Sequence, residues 1–303
     1  MRRRGWLGLL LAMAVTAGTT TGCVTISPIA ATGDFPVAAG VRLDNSPTFQ
    51  RMAQRDQGRG RIVIGVKNDQ PGLGYYDEST KTYTGFDVEI AQLVAARLGF
   101  GRARIQFVPI TSANRENALQ NGSVDLVVAS YSYSPDRAQN VSFAGPYFQT
   151  DEGLLVRSDE SGVTGVTSFT AGDTVCSTSG STSFTPLASL TRAQPVSRGS
   201  FSECVAALKD HSVSGVYTDL AVLAGYALQD PAHLRLIAVP QAGDTQLYGI
   251  GLPYGDDLLR RKIDDILVAA EKDGTWQAIF NATLAPSGIE AITPRDGVWM
   301  TRS

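Results

Sequence analysis

The chain has 303 residues and a mass of 32.2 kDa, with 26 basic against 29 acidic side chains and 43 % hydrophobic residues, a length that suits about two domains of ordinary size with substantial cores. Its charged fraction of 18 % is low and dispersed, which excludes a disordered polyelectrolyte, and a net charge of −3 without a basic block argues against a nucleic-acid partner. The only two histidines, His211 and His233, stand in no metal-ligand spacing, so zinc hydrolases of the usual motif types are excluded.

Arg2, Arg3 and Arg4 precede an uncharged run from Gly5 to Gly22 that contains Trp6, Leu7, Leu9, Leu10 and Leu11. A basic region followed by an apolar one reads as a secretory signal, here residues 1–22. Gly and Thr dilute its second half, which makes a poor permanent membrane helix. Thr20-Thr21-Gly22-Cys23 resembles a bacterial lipobox, with Cys23 as the lipid-bearing residue and Thr20 in place of the usual aliphatic. A plain cleaved signal beside an incidental cysteine is the alternative. Without the three arginines the mature chain carries 23 basic against 29 acidic residues and is near −6. If Cys23 is acylated, Cys176 and Cys204 remain as an even pair in an oxidising compartment. A bridge between them closes a loop of roughly 30 residues and adds about 3–4 kcal/mol on the chain-entropy view.

Residues 23–60 read as a tether and a short helix. Pro, Gly, Ala and Thr dominate 24–45 without periodicity, and Ser46-Pro47 caps a helix running to about Gln57. From Arg61 onward strands and helices alternate. Ile62–Val66 is a buried strand, and Phe86, Ile90, Leu93, Val94 and Leu98 lie on one face of a helix. Arg104–Val108 is a strand, Ala113–Gln120 a helix and Asp125–Ala129 a strand, the alternation of a parallel α/β sheet. A second series has strands at Thr174–Cys176 and Gly215–Tyr217, with helices near Thr182–Leu190, Ser202–Lys209 and Asp219–Leu228. Leu259, Ile263, Ile266, Leu267 and Ala270 mark a long amphipathic helix. It stops at Asp273-Gly274, and Thr275 caps another helix carrying Trp276, Ile279 and Phe280.

Gly85-Phe86-Asp87-Val88-Glu89-Ile90, continuing to Val94-Ala95 and Leu98, resembles the signature of the family 3 bacterial extracellular solute-binding proteins. The likeness covers about 61–285 in family order, including Tyr248-Gly249-Ile250 and Asp273-Gly274-Thr275. It implies an α/β protein of the two-lobed periplasmic-binding-protein (type II) fold with two crossing hinge strands. One lobe is expected at 61–147 plus 247–285, the other at 152–243, and 286–303 form a C-terminal tail. It also implies a monomeric, non-enzymatic receptor that takes a small polar amino acid to an ABC permease. No cofactor or metal is called for. The expected place is outside the cytoplasm, held to the membrane by lipid at Cys23.

By resemblance, Arg137 in Ser134-Pro135-Asp136-Arg137 grips the ligand α-carboxylate, while Ser130 and Ser132 donate hydrogen bonds. A guanidinium suits this because its fork is bidentate and permanently charged. From the other lobe Gly180, Ser181 and Thr182, at the opening of a helix, lie near the same carboxylate, where free N–H groups receive anions. Asp219 resembles the acceptor of the α-ammonium and can also cap the helix that follows. Thr111-Ser112-Ala113-Asn114-Arg115 is similar to the segment with which glutamate/aspartate receptors read a side-chain carboxylate, through Ser112 and Arg115. Lys67 stands where those receptors have an arginine.

Surplus cations favour an anionic side chain and leave an amide ligand with unneutralised charge. Three observations keep glutamine or asparagine open. Arg115 can instead be an exposed helix residue, Asp69 can neutralise Lys67, and no histidine stands near 199–202 where the acidic receptors use one. Tyr75 and Tyr76 serve either as an apolar wall or as core. An amino-acid sensor subunit would have the same pocket. A dehydratase on this scaffold would need a positioned general acid, and only Asp219 has a motif-based reason to face the cleft.

Overall fold

The computed structural model describes residues 34–239 and 245–294; the expected signal at 1–22, the expected lipid-bearing Cys23 and the end of the tail lie outside the described residues. Helix α1 (Pro47–Gln54) starts as its sequence dictates. Ser46 is the N-cap, its Oγ accepting from Phe49 N at 3.1 Å, and Pro47 occupies the first turn, where no amide donor is needed. It ends at Gln54 rather than Gln57 because Arg55 turns to extended geometry, φ −58° and ψ 157°.

Every residue of β1 (Ile62–Val66) is buried. Strands β2 (Asp69–Gln70), β3 (Gly74–Asp77) and β4 (Thr82–Thr84) form a small antiparallel sheet that the sequence does not announce, with Tyr76 and Tyr83 rings 4.8 Å apart. Helix α2 (Phe86–Arg97) buries Phe86, Ile90, Leu93 and Val94, but also Asp87 and Gln92. It is covered on almost all sides instead of showing one apolar face. After β5 (Ile105–Pro109), a 3-10 turn at Ser112–Asn114 precedes α3 (Arg115–Gln120), so the expected helix is shorter. Strand β6 (Leu126–Val127) shrinks to two residues, and β7 (Val141–Thr150) is long.

The second half holds β8 (Glu152–Arg157), β9 (Thr174–Thr178), α4 (Phe184–Leu190), β10 (Gln194–Arg198), α5 (Phe201–Lys209), β11 (Gly215–Asp219), α6 (Leu220–Gln229) and β12 (Leu234–Ala238). Cys176 of β9 is disulfide-bonded to Cys204 of α5, with a Cα–Cα distance of 5.6 Å. The chain returns through β13 (Gln246–Pro253) to α7 (Asp257–Lys272) and α8 (Thr275–Thr283). Gly274, at φ +83°, stops α7, and Asp273 Oδ1 accepts from Thr275 N at 2.9 Å. The carboxylate, not the Thr275 hydroxyl, therefore serves that helix start.

Two five-stranded sheets result, ordered β5-β1-β6-β13-β7 and β10-β9-β11-β8-β12. Neither is purely parallel. β13 runs antiparallel to β6 and β7, and β8 antiparallel to β11 and β12. The reason is connectivity: β7 continues through Asp151 into β8 of the other sheet, and β13 brings the chain back, so these strands oppose the β–α–β progression. In the first lobe β1 and α2 pack with Trp276 and Phe280 of α8, and Trp276 Nε1 donates to Tyr147 O at 2.8 Å. Among the described residues no helix is long and apolar enough to cross a membrane.

The segment read as a tether is docked from residue 35 on. Phe35 is buried and Ala38 N donates to Ala96 O at 2.9 Å. Asp256 serves two helices: Oδ2 accepts from Ser46 Oγ (2.7 Å) and Thr48 N (3.0 Å), and Oδ1 from Leu259 N (3.2 Å) at the start of α7. Asp125, fully buried, accepts from Arg51 Nη2 (2.9 Å), from Arg55 Nη2 (2.9 Å), from Arg55 Nη1 and from Val63 N (2.8 Å).

Candidate functional site

The carboxyl ends of β1, β5 and β6 deliver the first wall. Lys67 follows β1 directly and is buried, its Nζ donating to Ser112 Oγ at 2.8 Å. Burial pushes the ammonium down to about 7, with Arg115 nearby adding to the shift. Asp69, which the sequence offers as a neutraliser, counters that shift through its charge but is not within ion-pair distance: its Oδ2 accepts from Ser202 N at 3.2 Å, at the start of α5 in the second lobe. Lys67 thus forms no ion pair among the described residues.

Arg115 is buried, not exposed. Its guanidinium donates to the carbonyls of Ser112 (3.1 Å), Ala129 (3.1 Å), Ser130 (3.0 Å) and Gly180 (3.0 Å). Burial, then Arg137, lowers its pKa to about 10. Arg137 sits in a 3-10 turn (Arg137–Gln139), less than the short helix expected there. It donates to Ser132 O (2.5 Å) and Gly180 O (2.6 Å), and its Nε lies 3.3 Å from Glu116 Oε1. Both guanidiniums lie over the Tyr131 ring, at 4.4 Å for Arg115 and 5.1 Å for Arg137. Tyr131 OH donates to Glu116.

Ser130 holds a left-handed backbone, φ +41°, and its amide donates to Asp87 Oδ2 at 2.7 Å. Asp87, from the first turn of α2, also accepts from Tyr147 OH at 2.8 Å; burial raises its carboxyl to about 6. A strained serine held by a buried carboxylate is a device for positioning this loop.

The second wall comes from β9 and β11. Gly180, at φ +76°, presents its carbonyl to both arginines, and a Cβ there would lie 2.6 Å from Ala113 Cα. The expected helix opening differs: α4 begins only at Phe184, Ser181 N donates to Thr178 O (3.2 Å) and Ser183 N to Ser181 Oγ (3.3 Å). Thr182 Oγ1 donates to Gln246 Oε1 at 3.0 Å, tying this loop to β13. Asp219 ends β11 and precedes α6 without a side-chain capping bond, so its role as cap is not realised. Instead it accepts from Tyr248 OH (2.5 Å) and Ser183 Oγ (3.4 Å), and burial raises its pKa.

Beside it stands Glu152, its antiparallel register partner, which accepts from Ser183 Oγ at 3.2 and 3.1 Å. Burial and then Asp219 push Glu152 up to about 8. Lys67, Ser112, Arg115, Ser130, Ser132, Arg137, Gly180 and Asp219 therefore share one cleft. Ser181 and Thr182 are spent on their own loop and on β13. Sequence reasoning missed Glu152, Ser183, Tyr131, Tyr248 and the clamp role of Asp87. Only Asp87 had a signal, as an acidic residue inside an otherwise apolar stretch.

Outside this cluster the lobes also touch directly. Tyr226 OH donates to Asp69 O at 2.5 Å, and Gly225 of α6 lets the Pro71 carbonyl approach where any Cβ would collide.

Two α/β lobes, linked by crossing strands and facing each other across a cleft of buried charged groups, define the type II periplasmic binding fold. Residues 62–284 match the bacterial extracellular solute-binding proteins, family 3, and the chain belongs to that family. It is similar to glutamate-binding protein GluB of Corynebacterium efficiens, at 32 % identity over 78 % of this chain and 84 % of that one. It is also similar to the ABC transporter glutamine-binding protein GlnH of Bacillus subtilis, at 29 % identity over 73 % and 80 %. Among solved structures, an ancestral arginine-binding protein bound to arginine superimposes with a TM-score of 0.67, at 29 % identity over 74 % of this chain and 98 % of that one. The solute receptor for L-cysteine of Neisseria gonorrhoeae gives a TM-score of 0.69, at 28 % identity over 78 % and 94 %.

Proposed function

We propose that the protein is a membrane-tethered receptor that closes on an acidic amino acid, glutamate or aspartate, and hands it to an ABC permease. Residues 61–147 with 247–285 move as one lobe and 152–243 as the other, and lipid at Cys23 holds the molecule to the membrane. Arg137 takes the α-carboxylate, Asp219 the ammonium, and Lys67 with Ser112 the side-chain carboxylate. Closure couples to binding because these groups belong to opposite lobes.

The observation that carries the acidic choice is Lys67: a buried ammonium whose hydrogen-bond partner is a hydroxyl and which lacks an ion-pair partner among the described residues. Such a group is costly until an anion joins it. The 32 % identity to a glutamate-binding protein supports the same reading. Arg115, engaged by four carbonyls, orders the cleft more than it selects the ligand.

Calorimetry against glutamate, aspartate, glutamine and asparagine tests this. The acidic pair binds tighter, Arg137→Ala abolishes binding of all four, and Lys67→Met narrows the glutamate/glutamine ratio. An unchanged ratio in Lys67→Met overturns the acidic assignment. Absence of binding by any amino acid overturns the receptor reading.

A dehydratase remains the competing reading because Glu152 is a buried carboxyl able to hold a proton at neutral pH beside Asp219. Turnover of a cyclohexadienyl acid would establish it, and loss of that turnover in Glu152→Gln would assign the acid.

A further inference from the structure

Charge is unevenly placed on this acidic protein. Residues 34–61 and 97–104 hold eight arginines against three aspartates, and two further acids, Asp125 and Asp256, reach the same end by bonding to this segment; the other described residues hold 13 basic against 22 acidic side chains. The topology puts both segments at one end. Arg59 and Arg61 lead into β1, Arg102 and Arg104 into β5, and Arg97 closes α2, which runs back along the sheet. This is the amino-end pole of the first lobe, opposite the carboxyl ends that carry Lys67 and Ser112.

Contacts confirm the grouping. Arg104 Nη1 donates to Arg59 O at 3.1 Å, its guanidinium lies 5.6 Å from the Phe100 ring centre, and Ala38 N donates to Ala96 O. Arg51 and Arg55 are spent on Asp125, and Arg61 and Arg42 face Asp56 and Asp44. Arg59, Arg97 and Arg102 form no ion pair among the described residues, and Arg59 and Arg102 are exposed. Val37, 48 % exposed, stands beside Gly101 on the same pole.

We propose that this arginine-rich pole is a docking surface for an anionic lipid bilayer. Asp34, the first described residue, lies in the segment that docks here, so the chain arrives from Cys23 at this same pole. Only the steps from Cys23 to Asp34 separate it from the anchor, at most about 40 Å even when fully extended. The geometry thus rests on the lipid anchorage of the preceding reading and deepens it: the anchor draws to the membrane a surface whose unpaired arginines suit anionic headgroups. Arginines near such a surface each strengthen attachment by about fivefold, and the attraction fades beyond about 8 Å at physiological salt. Docked by this pole, the molecule turns its ligand cleft away from the lipid.

The test uses the mature chain from Cys23, purified without lipid, and sedimentation with vesicles. Binding is expected to phosphatidylcholine vesicles containing phosphatidylglycerol, weakening more than tenfold from about 0.05 M to about 0.3 M salt, and not to phosphatidylcholine alone. The triple variant Arg59→Glu, Arg97→Glu, Arg102→Glu should lose at least twentyfold while its glutamate affinity by calorimetry stays unchanged. Equal binding to neutral vesicles, no binding to the anionic ones, or an undiminished triple variant overturns the proposal. Loss of glutamate binding by the unsubstituted chain would count against the receptor reading instead, so the two failures are distinguishable.

Discussion

Gly180 of one lobe places its carbonyl oxygen 2.6 Å from Nη2 of Arg137 in the other, and Arg115 donates to the same oxygen at 3.0 Å. The two guanidiniums meet at one neutral oxygen, and of the two Arg137 also has a carboxylate within ion-pair distance, Glu116 at 3.3 Å; on the proposed reading a ligand carboxylate completes the neutralisation here. The approach depends on glycine twice, through φ +76° and through the 2.6 Å gap to Ala113 Cα. Gly180→Ala should therefore weaken every amino-acid ligand at least tenfold by calorimetry. Small-angle scattering should show it less compact with ligand than the unsubstituted protein.

If Lys67 receives the ligand's side-chain carboxylate, as proposed, glutamate binding carries a pH signature. Burial brings its free pKa to about 7, and a carboxylate partner raises it, so binding takes up a proton. Affinity for glutamate should then fall about tenfold from pH 6 to pH 8. Glutamine, without a side-chain charge, should change little. Lys67→Arg keeps its charge and should flatten the glutamate curve in calorimetric titrations at each pH.

Glu152 acts on stability in the other direction from an ordinary paired acid. Its folded pKa, about 8, lies above its unfolded value, so between about 4.5 and 8 the native state holds a proton that the unfolded state releases. Stability falls as pH rises through that window, and Asp219, also raised, adds to the fall. Glu152→Gln should be less pH-dependent there, as read from urea midpoints measured between pH 5 and pH 8.

Asp125 is a stability centre. Asp125→Ala leaves Arg51, Arg55 and the Val63 amide without their common acceptor. Removing one partner of such a buried network costs about 3–5 kcal/mol. Chemical unfolding should show this loss, with glutamate affinity at low denaturant nearly unchanged because Asp125 immediately precedes β6, at the end away from the cleft.

Much of this was readable in the chain because it is local. The periodicity at Ile90, Leu93 and Val94 and the Ser46-Pro47 cap need only neighbouring residues, and the family resemblance brought Lys67, Ser112, Arg115, Arg137 and Asp219 to one cleft. What escaped depends on pairing across long separations. Glu152 matters because β8 runs antiparallel to β11 and sets it opposite Asp219, a register that no local pattern encodes. Gly180 was read as an amide donor to a ligand, whereas its carbonyl is what faces the arginines, a fact fixed by a left-handed φ and by how the lobes meet. Strand Leu126–Val127 was over-extended because Ser130 must leave the sheet to reach Asp87.

The double duty of Asp256 sets a practical boundary for anyone dividing this protein. A fragment begun at residue 62, where the family likeness starts, would discard Ser46, Thr48, Arg51 and Arg55 together. Asp256 and Asp125 would then stand as two buried carboxylates stripped of most of their donors. The stretch that defines the family is shorter than the folding unit, and expression should begin before Phe35.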